Sequence, residues 1–193
     1  MGEGHRRRRW ATSGIVGAAV LAGALWYTQQ EAPAAPRVDP ALERAVLPVV
    51  DRYLLTDSLG PLGGDDPPEE NGVAPRGFCT EHIVEIRPTG AGLRVGLAAW
   101  CGHFARHGSG GVSMLDGGIM AGVLTVSPAT APARVSDVSW EPDGDSSAWA
   151  AARFSPGGAA EAERLTGDAA ANLTDPETKA RAAFGLPASA APR

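Results

Sequence analysis

The chain has 193 residues, 44% of them hydrophobic, with 17 basic residues against 22 acidic and a formal net charge of −5. That charge is divided unevenly: residues 1–30 hold four arginines and Glu3, while residues 31–193 hold 13 basic and 21 acidic residues, a net of −8. A domain this acidic lacks the basic footprint that nucleic acid or anionic head groups require, which excludes both as its ligands.

The N-terminal stretch MGEGHRRRRWATSGIVGAAVLAGALWYTQQ sets four consecutive arginines, Arg6, Arg7, Arg8 and Arg9, before an uncharged run over residues 10–27. The run falls within the roughly 17–25 residues needed to cross a bilayer and exceeds the ~7–15 of a signal-peptide core. It reads as a single-pass anchor over residues 10–28. Trp10, Trp26 and Tyr27 stand where interfacial aromatic residues belong, and the arginines hold residues 1–9 in the cytoplasm. The rest of the chain is then outside the cell membrane. Secretion after signal cleavage near the small residues of EAPAAP is the alternative. Sixteen arginines against a single lysine, Lys179, with abundant Ala, Gly and Pro, suggest a GC-rich bacterial genome.

Residues 29–38 are polar and Pro/Ala-rich, a semi-extended tether. Residues 39–187 suffice for one domain with one core, and residues 188–193 read as a disordered tail. Asp39 and Pro40 open a helix expected to run to about Thr56, with Leu42, Val46, Val49, Val50, Tyr53 and Leu54 at helical spacing and a kink at Pro48. Residues 61–77 hold four prolines, four glycines and four acids, a loop too poor in apolar side chains to order itself.

Two strands follow, residues 82–87 and 93–98, joined by PTGAG, with Gly90 and Gly92 as the residues of positive φ. Alternation places Val84 and Ile86 on one face, and Leu93, Val95 and Leu97 on one face. If pairs sum to 180, Cys79 faces Cys101 and a disulfide can close. The apolar faces nearer the turn prefer an odd sum, so the register must slip once, with a bulge expected at Gly96 or Gly102. Outside the cell two cysteines in one hairpin should be bridged. The rival is a metal site: Cys79, His82, Cys101 and His103 could approximate a tetrahedral set, with His107 close behind.

Further on, residues 112–115 and 119–126 read as a strand pair about a turn at Asp116-Gly117-Gly118, and residues 135–140 as one more strand. The Ala-rich end reads as three short helices, the last with Asp175 as cap, Pro176 opening and Gly185 closing. Trp100, Trp140 and Trp149 read as core packers.

No nucleophile elbow, Walker loop or zincin motif occurs in the sequence. The expectation is therefore a non-enzymatic protein without a cofactor. The run FCTEHIVEIRPTGAGLRVGLAAWCGHFAR, with FSPGGAAEAER and ARAAFGLP, resembles a group of small actinobacterial membrane-anchored or secreted proteins with a paired-cysteine exterior domain. More loosely, one helix before an antiparallel meander is similar to cystatin-like (NTF2-like) exterior domains. Neither resemblance brings functional residues with it.

The sequence thus predicts an α+β chain: a transmembrane helix, then a helix packed on an antiparallel meander of about five strands, closed by short C-terminal helices. The function expected is a binding or accessory module of the bacterial cell envelope, with the bilayer and an envelope protein or ligand as partners. The alternative is a secreted protein with a metal-binding or hydrolytic site around His82, His103 and His107. An apolar pocket containing a histidine would favour the alternative, and an exposed apolar patch would favour binding.

Overall fold

A computed structural model describes residues 33–56, 60–62, 74–108, 110–143 and 146–188, all within the unit Pro33–Arg193. The expected anchor over residues 10–28, with its flanks Arg6, Arg7, Arg8, Arg9, Trp10, Trp26 and Tyr27, lies outside the described residues. Among those described, no helix is long and apolar enough to cross a membrane. Within the expected tether, residues 33–38 have neither helix nor strand, and Val38 packs against the core.

Helix α1 spans Pro40–Thr56 and runs on through Pro48. Asp39 accepts hydrogen bonds from the backbone N–H of Ala41 at 2.7 Å and of Leu42 at 3.4 Å, satisfying amides the first turn leaves orphaned. Val46, Val49, Val50, Tyr53 and Leu54 are buried along one stripe. A helix of this length is marginal alone; burial of that stripe, about 1.5–3 kcal/mol for each large apolar side chain, holds it.

The stripe lies on a four-stranded antiparallel meander in the order β1-β2-β3-β4, formed by β1 (Arg76–Thr89), β2 (Gly92–His107), β3 (Gly111–Ser127) and β4 (Arg134–Trp140). On the α1 face, Cys79, Ile83, Leu93, Val95, Leu97, Ala99, Cys101, Leu124 and Val126 complete one core cluster. The other face is covered by α2 (Ser146–Arg153), α3 (Pro156–Gly167), the four-residue α4 (Ala169–Asn172) and α5 (Pro176–Ala183). A second cluster there joins Val84, Ala98, Ala121 and Val123 to Trp149, Phe154, Ala162 and Leu165. With helices on both faces, β2 is buried along nearly its whole length, which is why its sequence reads as an almost unbroken apolar run.

The hairpin follows the expected register and departs from it in one respect. Near the turn Ile86 faces Val95 and Thr89 faces Gly92; beyond the slip Ile83 faces Leu97 and Cys79 faces Cys101. The slip falls at Val84 on β1, not at a glycine of β2. Its cause is visible opposite: the ring of Phe154 fills the space above Gly96, where an added Cβ would lie 2.9 Å from Phe154 Cδ1 and 3.2 Å from Glu85 Cγ. Val84 and Glu85 both turn toward the C-terminal helices, and alternation resumes with Ile86 on the α1 face. Val84 and Ile86 therefore do not share a face. At the turn only Gly92 has positive φ, +150°, and Gly90 does not.

Four strands stand where about five were expected, because residues 112–126 form one strand rather than two about a turn. Asp116, Gly117 and Gly118 continue β3 past a register shift beside Leu115. Gly117, at φ +155°, faces Gly102, and a Cβ on it would sit 2.8 Å from the Gly102 Cα. Two facing glycines let the backbones close where side chains would hold them apart. Four helices, rather than three, end the domain. Asp175 caps the last through the N–H of Glu177 at 2.8 Å, and Gly185 at φ +68° follows it.

Candidate functional site

Cys79 and Cys101 sit directly opposite each other on β1 and β2, with Cα atoms 4.1 Å apart and sulfurs joined at 2.07 Å. Both are buried in the α1 cluster, and Cys79 Sγ lies 4.0 Å from the Leu54 carbonyl. The disulfide is thus a staple inside the core. Its sulfurs are committed to each other and offer no thiolate to a metal.

The three described histidines do not converge. His82 pairs across the ladder with Ala98 of the second cluster, so it faces the C-terminal helices and is exposed there. Near it, Glu161 is held below the usual carboxylate range, chiefly by its hydrogen bond from Arg164 and slightly by His82. His103 shares the face of Cys101, on the opposite side of the sheet. It is buried, with Nδ1 2.7 Å from Asp116 Oδ1, and its backbone N–H reaches the same oxygen at 3.3 Å. His107 is exposed at the end of β2. The four-residue set Cys79, His82, Cys101 and His103 is therefore split by the sheet. Among the described residues no three His, Cys, Asp or Glu side chains gather at metal-binding distance.

An open cavity of about 530 Å³ lies by the β1–β2 turn, lined by Ala91, Ser127, Pro128, Ala133, Arg134 and Ser136, with no histidine among them.

The arrangement with most capacity for recognition is the outer edge of β3. Strand β4 pairs only with its second half, from Gly122 opposite Trp140 to Ser127 opposite Arg134. Glu141 ends that pairing on both sides of Ala121: its N–H donates to the Ala121 carbonyl at 3.0 Å, and its carboxylate accepts the Ala121 N–H at 3.1 Å. Residues 111–120 pair with β2 on one side only, and among the described residues no strand covers the other. The backbone N–H and C=O groups along that side are a ready template for a further strand.

The side chains along this edge are apolar. Met114 is 50% exposed and Ile119 41%. They pair with Phe104 and Trp100, two β2 residues of one parity, so both project on the face of the C-terminal helices. Met114 lies across Gly102, where an added Cβ would meet its sulfur at 2.9 Å. The one charge in the run, Asp116, is turned to the other face and engaged by His103. The edge carries no lysine or proline; of the devices that ordinarily keep edge strands from pairing it has the bulge at Leu115 and Asp116, whose charge His103 engages. Reading Asp116-Gly117-Gly118 as a turn concealed this edge; the signal available was a ten-residue stretch, GVSMLDGGIM, with a single charge. Comparison with protein-family models, with curated proteins and with solved structures found no match.

Proposed function

We propose that this chain is a single-pass protein of the bacterial cell envelope whose exterior domain is a non-catalytic binding module, docking an extended segment of another envelope protein along residues 111–120. The observation that carries this reading is the unpaired, almost uncharged edge of β3 with Met114 and Ile119 projecting beside it. Strand addition takes its affinity from main-chain hydrogen bonds and its selectivity from alternate side chains, which here favours a partner with apolar residues toward the Met114 face. The uncharged run over residues 10–27, behind Arg6 to Arg9, supports the membrane placement.

The test is a photo-crosslinking side chain placed at Met114, at Ile119 or at exposed Leu55, in the full chain in its own membranes. The reading expects one discrete adduct from the two β3 positions, none from Leu55, and loss of the Met114 adduct in the Ile119→Lys background. Equal labelling from Leu55, or none from β3, overturns it.

A further inference from the structure

The single lysine of the chain stands between two carboxylates. Lys179 on α5 places Nζ 3.6 Å from Asp51 Oδ1 on α1 and 3.9 Å from Glu81 Oε2 on β1. Every other basic side chain is arginine, whose guanidinium stays protonated and cannot serve as a nucleophile; lysine can, once it loses a proton. The two ends of the contact are 47% and 44% exposed, whereas the Glu81 side chain is only 9% exposed. Its buried Oε2 has no hydrogen-bond partner among the described residues. That oxygen is poised to take and return a proton.

We propose that Lys179 and Asp51 close an intramolecular amide, with the buried Glu81 carrying the proton between them. The three groups come from three elements packed together, so their approach is already paid in folding and the step is unimolecular. Glu81 takes a proton from the Lys179 ammonium, and both groups become neutral. The amine attacks Asp51 Cγ: a C–N bond forms and one C–O bond breaks. The departing oxygen leaves as water with two protons that began on the ammonium, one of them delivered by Glu81, which ends as it started. No oxidant or cofactor enters the balance.

Burial raises the pKa of Glu81 above the ordinary glutamate value, the Lys179 charge lowers it by less, and Asp51 adds to the rise. A carboxyl group so placed holds a proton more readily than an exposed glutamate, as the shuttle requires. The amide would tie α1 to α5 around the edge of the sheet, independently of the disulfide and of any partner at β3.

The experiment is a tryptic map with intact mass on the reduced full chain. The expected result is a mass one water below that of the peptides present, no cleavage after Lys179, and a branched peptide joining the Asp51 and Lys179 segments. Lys179→Arg, which keeps the ion pair, and Glu81→Gln should both restore the missing water. Full mass with normal cleavage after Lys179 in the wild-type chain overturns the proposal, and requires no variant to fold. A branched peptide that persists in Glu81→Gln overturns the role given to Glu81.

Discussion

The carboxylate of Glu85, in the middle of β1, lies 2.6 Å from the hydroxyl of Ser155, the N-cap residue of α3 seventy positions later. It also accepts the Ser155 backbone N–H at 3.2 Å, and Arg87 pairs with it at 2.8 Å. The guanidinium groups of Arg87 and Arg94 both donate to the Arg153 carbonyl at 2.9 Å, at the end of α2. The bulge at Val84 thus turns a charged residue toward a helix N-terminus, where both the dipole and the free amides favour it. Replacing Glu85 with alanine removes the acceptor for a half-buried hydroxyl and amide and should cost about 1–3 kcal/mol of stability. Glu85→Gln should cost less, since it keeps an acceptor. Urea midpoints at an unchanged slope check both.

The disulfide contributes chiefly by restricting the unfolded chain. For a sequence separation of 22, replacing Cys79 and Cys101 together with serine should lower stability by about 3 kcal/mol. Because both sulfurs are buried, a reductant should act on the native protein only through opening. The check is a reduction rate that rises with urea in step with the unfolded fraction.

On the β3 edge, Met114→Lys and Ile119→Lys should cost no more than about 1 kcal/mol of stability, because both side chains are about half exposed. Each should abolish adduct formation at that edge. Thermal melts and crosslinking yield, taken on the same preparations, separate the two effects.

Glu81 gives stability a pH dependence of unusual sign for a carboxylate. Its pKa is raised on folding, so between the unfolded value near 4.5 and the folded one the native state holds more protons than the unfolded chain. Stability from this group is present at low pH and is lost as pH rises through its folded pKa. In the Lys179→Arg background, which cannot close an amide, Glu81→Gln should flatten that decline. Unfolding midpoints across the acid range provide the measurement.

Much of this architecture is legible in local signals. Asp39 and Pro40 announce α1, its stripe matches the buried residues, and the numbering of Cys79 and Cys101 about the turn places them face to face. The bulge was required by the apolar pattern, but its position was not. Val84 is displaced because Phe154 lies over Gly96, a contact between residues far apart in sequence. Asp116-Gly117-Gly118 has turn chemistry and is nonetheless strand, because Gly102 lies opposite and His103 takes the aspartate. Turn propensity is local, and a facing glycine is not. The meeting of Lys179, Asp51 and Glu81 was equally hidden, since it joins three separate elements.

The central claim is that residues 111–120 gain a strand from another protein. Backbone hydrogen exchange across β3 of the full chain, in native membranes and after detergent purification, tests it most directly. The account predicts that those amides of residues 111–120 that point away from β2 are protected in membranes and lose that protection on purification, while residues 122–127, paired with β4, stay protected in both. Equal exchange of residues 111–120 in the two preparations would contradict it.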